Sequence, residues 1–518
     1  MSIVQVSHLT FCYDGSAEDV FTDLSFRFDT SWRLGCTGRN GRGKTTLLRL
    51  LSGSLDAGGA VSLGGILPVC FPFTGFDHSL PVKQLLSQWA PEVESWRILC
   101  ELSQLSLPED VLNRPYHTLS GGQQTKLQLA CLFSLDAAWP LIDEPTNHLD
   151  AVGRQAVAQY LASKDGFVLI SHDRAFLDAS VDHMLILGRQ KLEVLRGGYS
   201  TWEEEKRKRD RWEIDRNVQL QKEISRLDAA AKRVSGWSAK AENEKYSSKP
   251  GQREDVDRGY LGHKAAKIMK RSKTTESRLQ KAAEEKRGLL RDIETSEALR
   301  FSPLPWRKSG PFFRMDDVTL SYDGRQVCGP IDFSISPGER VALVGPNGCG
   351  KSSLLRALCK EAGYPQPNGP VLSHGRIQVG AGLILSLARQ DAEALRGDIR
   401  SFAQEQNLDV TFFFTLLRKM GFERAQFERR LEEFSSGQKK KALLAASLAT
   451  PAHLTVWDEP LNYIDILSRL QIEELVCQSG ASMLFVEHDA AFVQNAATQV
   501  LQLSEDGQIV AFTPAGQR

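Results

Sequence analysis

Two regions of the chain share one alternation of short, wholly apolar runs and longer stretches with apolar residues three and four apart. In the first, FVLI (167–170) is a run and TLLRLLSG (46–53) has helical spacing. In the second, VALV (341–344) and MLFV (483–486) are the runs and SSLLRALCK (352–360) the helical stretch. Such runs predict strands buried on both faces, as in a parallel sheet. Strand, Gly-rich loop and helix in succession predict an α/β fold. Between the regions the pattern changes. Leu220, Ile224, Leu227, Ala231 and Val234 step by four and three, the seam of a short coiled coil. SSKPGQRED (247–255) interrupts it with Pro-Gly, and Leu279, Ala282, Leu289 and Ile293 then share a face of a second helical stretch. The spacing predicts an antiparallel helical hairpin with its tip near 247–262. Each helix of about 45 residues would span roughly 65 Å.

The two regions are copies. GRNGRGKTT (38–46) recurs as GPNGCGKSS (345–353), and LSGGQQTK (119–126) as FSSGQKKK (434–441). LIDEPTNHLD (141–150) recurs as VWDEPLNYID (456–465), and ISHDRAF (170–176) as VEHDAAF (486–492). The offsets are 351−44 = 307, 435−120 = 315, 458−143 = 315 and 488−172 = 316. Four motifs in one order at nearly one offset divide the chain into a first domain over 1–200, a helical linker over 201–305 and a second domain over 306–518.

Composition narrows the class. With 41% hydrophobic and 25% charged residues the chain is an ordinary globular protein, which excludes gross disorder. It has no apolar run of 18 residues, so no membrane span is expected. The N-terminus has no basic segment followed by an apolar one, so no secretory signal is expected. Nine scattered cysteines without a CxxC pair exclude the usual zinc spacing and fit a reducing cytosol. The whole chain is neutral, 64 Lys+Arg against 64 Asp+Glu, but 201–300 holds 26 basic and 19 acidic residues. The linker is therefore +7 and the remainder −7. YLGHKAAKIMKRSK (260–273) holds Lys264, Lys267, Lys270, Arg271 and Lys273 and no acid. Such a run is either a solvated helix face or a contact with a polyanion. Trp202, Trp212, Trp237 and Tyr260 suit stacking on bases, but packing between the two helices is the expected use.

The motifs carry phosphate chemistry. GxxxxGK[ST] lets backbone N–H groups converge on phosphate oxygens at a helix N-terminus. The first copy is Gly38, Arg39, Asn40, Gly41, Arg42, Gly43, Lys44, Thr45 and Thr46. The second is Gly345, Pro346, Asn347, Gly348, Cys349, Gly350, Lys351, Ser352 and Ser353. Lys44 and Lys351 are expected to reach the β- and γ-phosphates, and Thr45 and Ser352 to hold Mg²⁺. Asp143 and Asp458 end apolar runs as carboxylates aimed at Mg²⁺, although Pro140 is awkward in a central strand. Glu144 and Glu459 are placed to activate water, and His172 and His488 to contact the γ-phosphate.

With LSGGQ and DEPTNHLD beside a P-loop and SHD, the chain resembles the ATPases of the ABC superfamily. Two such domains joined by a charged helical linker resemble its ABC-F branch. The resemblance implies head-to-tail closure of the two domains around two ATPs within a monomer. Lys44 and Glu144 would then work with the second signature, Ser435, Ser436, Gly437 and Gln438. Lys351 and Glu459 would work with Ser120, Gly121, Gly122 and Gln123. Tyr13 and Tyr322 match the aromatic that stacks on adenine, the alternative being a buried strand tyrosine. Gln390 matches the loop glutamine that ligates Mg²⁺, whereas Phe73 replaces it in the first copy. The second signature has Phe434 and Ser436 where Leu and Gly are usual, so the two ATP sites are chemically unequal.

FPF at the first glutamine loop, GHKAAKIMKRSK near the tip and WDEPLNYIDILSRLQIEEL resemble the Lsa-type proteins. That resemblance implies a cytoplasmic, ribosome-associated protection factor. It would bind the E site of the bacterial 70S ribosome, touching 23S rRNA and P-site tRNA. The linker would dislodge lincosamides, streptogramin A and pleuromutilins from the peptidyl-transferase centre, and hydrolysis would drive release. A housekeeping ABC-F factor for stalled ribosomes is the alternative. The ATPase of a drug exporter would need a membrane partner, and the hairpin has no role there. A DNA-directed ATPase would need much longer arms.

Overall fold

The computed structural model describes residues 2–13, 19–188, 192–246, 267, 270–271, 273–275, 277–282, 284, 286, 299, 301, 303–366, 369–392 and 395–514. The chain separates into two compact units, Met1–Trp202 with Ser296–Arg518, and Glu203–Thr295.

The first unit holds two copies of one architecture. In the first copy the strands Leu67–Phe71, Ala138–Asp143, Phe167–Ile170, Arg33–Gly38, His183–Leu187 and Leu192–Arg196 lie side by side in that order. In the second the order is Leu385–Ala388, Leu454–Asp458, Ser482–Val486, Arg340–Val344, Gln499–Leu503 and Ile509–Pro514. All neighbours are parallel except the last pair of each sheet. Helices cover a parallel sheet on both faces, so Phe167–Ile170 and Ser482–Val486 are buried at every residue. A three-stranded antiparallel sheet accompanies each copy, with Ile3–Phe11 or Phe313–Tyr322 in the middle.

Pro140 does lie in an interior strand. Pairing on the Phe167–Ile170 side begins only at Leu141, so the residue without an N–H precedes the doubly bonded stretch. Each copy is filled by two apolar clusters. One lies around the P-loop helix, and the other around the helix that follows the signature. Ile466 of the second copy is buried in a cluster of the first, with Leu470 packed on it.

The helix Tyr199–Tyr246 is one run of 48 residues that starts in the first unit and belongs to the second from Glu203 on. Leu220, Ile224 and Ala231 of the expected seam are buried. Glu223 pairs with Lys286 of the returning stretch. The expected tip at 247–262 falls outside the described residues, as do Leu289 and Ile293. The expectation for the tryptophans needs correction. Trp202 packs with Tyr199 in an apolar cluster of the first copy, and Trp212 is 57% exposed with Arg216 over its ring. Trp212 lies off the face that carries Leu220, Ile224 and Ala231, so it does not take the packing role expected of it. Tyr260 and the Trp237 side chain lie outside the described residues.

Candidate nucleotide-binding sites

In both sheets the strands leading to the P-loop, to the Asp-Glu pair and to the histidine are neighbours. Their C-terminal ends meet at one edge, where ligands of open α/β sheets bind. The P-loops turn into the helices Lys44–Leu51 and Lys351–Glu361 through left-handed Gly43 and Gly350. A Cβ at Gly43 would come within 2.6 Å of Val20 and 2.7 Å of Phe21. The Lys44 ammonium donates to the carbonyls of Gly38 (2.8 Å) and Arg39 (3.2 Å), and Lys351 to those of Gly345 (2.8 Å) and Pro346 (2.7 Å). Thr45 Oγ1 donates to Asp143 Oδ2 at 2.7 Å, and Ser352 Oγ to Asp458 Oδ1 at 2.9 Å. A hydroxyl and a carboxylate held this close make an oxygen set suited to Mg²⁺. Burial raises the carboxyl pKa of Asp143, and burial with the adjacent Glu459 raises Asp458 to about 6.

Glu144 and Glu459 both have left-handed backbones, with φ of 50° and 47°, and each N–H bonds the strand that precedes the histidine. Strain of this kind collects at functional sites. Their side chains differ. Glu459 Oε2 accepts from Gln390 Nε2 (2.9 Å) and Asn462 Nδ2 (2.7 Å), and His488 Nε2 lies 3.7 Å from Oε1. Burial pushes Glu459 up, but His488, Lys351 and Lys440 outweigh it and hold the carboxyl below its usual range. Glu144 has no hydrogen bond to either side-chain oxygen, and His172 Nε2 lies 3.3 Å from Oε1 without the alignment of a bond. Burial and Asp143 raise Glu144 to about 8. Burial and then Lys44 push His172 well below its ordinary value, so its imidazole is neutral at pH 7.

The loop that precedes the carboxylates adds one of the hydrogen bonds that distinguish them. Gln390 lies just after the strand Leu385–Ala388 and reaches Glu459. Phe73 instead packs against Trp89, with tilted rings whose centroids lie 5.0 Å apart, and its N–H donates to Gln128 Oε1 at 2.8 Å. The first site therefore has no amide to offer Glu144 at that place.

Both signatures form capping boxes. The Ser120 and Ser435 hydroxyls accept from the N–H groups of Gln123 and Gln438, whose side chains accept in return from the serine N–H groups. The helices Gly121–Ser134 and Ser436–Ala449 start there. The structure brings the first P-loop to the second signature. Asn40 Nδ2 donates to Tyr463 O at 2.8 Å, and a Cβ at Gly437 would lie 2.4 Å from Asn40 Nδ2 and 2.5 Å from Tyr463 O. Only glycine fits there. Reciprocally, Asn347 donates to His148 O and to Asp150 Oδ2, both at 3.2 Å. The sequence reading missed Tyr463, His148 and Asp150, although they stand at matching places in YID and HLD. Arg174 adds an ion pair to Glu473 at 2.7 Å between the copies.

Tyr13 is 40% exposed and shares a hydrogen bond with Thr46 (2.9 Å); Tyr322 ends a strand, half-buried. Neither is a buried strand tyrosine. Lys267, Lys270, Arg271 and Lys273 are helical and exposed, and Lys264 lies outside the described residues. Among the described residues no helix is long and apolar enough to cross a membrane.

The family model described as ABC transporter matches residues 21–147 and again 328–462. The ribosome protection protein VmlR of Bacillus subtilis (strain 168) is 29% identical over 508 residues, 96% of this chain and 86% of that protein. The ATP-binding protein Uup of Caulobacter vibrioides is 27% identical over 514 residues, 96% of this chain and 77% of that one. A solved complex of the archaeal ribosomal stalk protein aP1 and the archaeal ribosome recycling factor aABCE1 is similar in fold. It has a TM-score of 0.61 at 18% identity and covers 98% of this chain and 90% of that one.

Proposed function

The chain belongs to the ABC family, in its ABC-F branch, and is an ATPase; on that premise we propose that it is a ribosome-protection factor of the cytoplasm. It binds the E site of the bacterial 70S ribosome as a monomer. Its linker contacts 23S rRNA and P-site tRNA and displaces lincosamide, streptogramin A and pleuromutilin drugs. The observation that carries this reading is the similarity to a ribosome protection protein along 96% of the chain. The charge division supports it: a +7 linker on an otherwise acidic chain concentrates attraction for RNA phosphates on one part.

In this reading residues 1–200 and 306–518 are the ATPase domains and 201–305 the arm. Each P-loop cradles the phosphates of one ATP, with Lys44 or Lys351 at the β- and γ-phosphates. Tyr13 and Tyr322 stack on adenine, and the opposite signature closes the site. Thr45 with Asp143, and Ser352 with Asp458 and Gln390, hold Mg²⁺. When bound, the metal neutralises charge on the transferring phosphoryl group. Glu459 orients and deprotonates the attacking water, Gln390 and Asn462 fix its carboxylate, and His488 faces the γ-phosphate. Glu144 and His172 hold these places in the first site. Closure around ATP sets the arm on the ribosome, and hydrolysis opens the domains and releases it.

The test is Glu144→Gln with Glu459→Gln. The double variant is expected to bind ATP and remain on 70S ribosomes after pelleting through a cushion, while wild type dissociates. Release at the wild-type rate in ATP would sink the mechanism. Expression in a susceptible host tests the drug classes, and unchanged lincosamide and pleuromutilin inhibition would favour the housekeeping reading.

A further inference from the structure

Lys440 is a cation that neither the ATP chemistry nor the arm uses. It is 1% exposed, on the helix that starts at the second signature. Its ammonium donates to the carbonyls of Arg389 (2.9 Å), Gln390 (3.0 Å) and Asp458 (3.4 Å). An ammonium has three donors, and here all three go to backbone oxygens. A buried charge persists only when bonded in this way. Burial lowers its pKa, while Glu487, Asp458, Glu459 and Asp391 oppose the shift. The carbonyls belong to the two segments that present Gln390 and the Asp458–Glu459 pair to the second ATP site. The helix itself starts elsewhere. Gly437, one turn earlier, packs on Asn40 of the first P-loop. One rigid helix thus has its N-terminus at the first site and its Lys440 under the second.

The first copy lacks the device. The repeat places Thr125 where the second copy has Lys440. The loop there is tied instead by Gln128, through the single bond to Phe73 N–H.

We propose that Lys440 is a positioning residue that couples the two ATP sites: ATP at the first site fixes the second signature, and the helix passes that position through Lys440 to Gln390, Asp458 and Glu459. Hydrolysis at the second site is then fast only when the first site holds ATP. This rests on the roles given above to Glu144 and Glu459.

The experiment uses the full chain and steady-state ATP hydrolysis. Second-site turnover is measured with the first site able to hold ATP but not cleave it (Glu144→Gln), and with the first site unable to hold ATP (Lys44→Ala). The ratio of the two kcat values reports the coupling and is expected to be about tenfold, within the range of ordinary coupling energies. Adding Lys440→Met should bring the ratio below about twofold and lower kcat in the Glu144→Gln background, with KM for ATP changed less than about threefold. Lys440→Arg, which keeps the cation, should retain most of the ratio. If Lys440→Met gives no cooperative melting transition, Lys440→Gln takes its place. A ratio near one before Lys440 is touched, or one that survives Lys440→Met or Lys440→Gln, overturns the proposal. Wild-type hydrolysis by the Glu144→Gln, Glu459→Gln double variant would instead overturn the assignment of the bases.

Discussion

Glu144→Gln is expected to stabilise the nucleotide-free protein, and more strongly as pH rises from about 5.5 to about 8.5. The folded protein holds the Glu144 proton up to about pH 8, whereas the unfolded chain releases it near the ordinary value of 4.5. Between these values the native state binds more protons than the unfolded state, so wild-type stability falls as pH rises. Glutamine does not titrate, so the variant escapes the loss. At about 1.4 kcal/mol per tenfold in proton affinity, the upper bound is about 5 kcal/mol. The usual cost of a buried polar group left without a hydrogen bond sets the expected value at about 2 kcal/mol. For an ATPase domain of this size that is a difference of about 5 °C in Tm. Glu459→Gln is the internal control. Its carboxyl is held below the ordinary value, so its stabilisation is fully present above about pH 4.5 and fades only as pH falls further. Its Tm difference from wild type should be flat over the same range. The assay is differential scanning calorimetry in matched buffers. A Glu144→Gln difference as flat as that of Glu459→Gln would refute the reading of Glu144 as a buried carboxyl whose proton affinity is raised by burial and Asp143.

Two further outcomes are expected. Lys441 and Asp465 form a pair at 2.6 Å, only 5% and 1% exposed, so Lys441→Met should cost about 3 kcal/mol by stranding a buried carboxylate. Adding Asp465→Asn should recover more than half, read from urea midpoints; no recovery would mean that the stem, not the charge, matters. Changing Lys264, Lys267, Lys270, Arg271 and Lys273 to Gln should weaken 70S binding and flatten its log–log salt dependence by about 3, measured by pelleting. An unchanged slope would refute the proposed contact of these cations with RNA phosphates.

Much of the fold was legible because its signals are local. Apolar runs of four residues became the interior strands, and Gly-rich loops became the turns into helices. The repeat required two copies of whatever one copy formed. The P-loop lysines, Asp143, Asp458 and the signature serines are legible for the same reason, since each stands at a fixed distance from a strand end or a helix start. The tryptophan reading failed because exposure depends on which helix face finds a partner. Residue type alone suggested that Trp212 packs inside the hairpin, whereas the buried face runs through Leu220, Ile224 and Ala231.

The sequence by itself determined the two ATPase copies, their chemistry and their inequality at Phe73 and Gln390. Each of these is a residue identity within a motif of a few positions. The tertiary structure alone decided what the inequality does. Glu144 and Glu459 are the same residue on the same kind of backbone. Only the packed surroundings leave one carboxylate bare and buried, and give the other two amides and a favourable field. It alone also set Gly437 against Asn40 and Lys440 beneath Gln390. Proton affinity and long-range contact are properties of three-dimensional surroundings, assembled from segments that lie 50 residues apart for Lys440 and Gln390 and 423 apart for Asn40 and Tyr463.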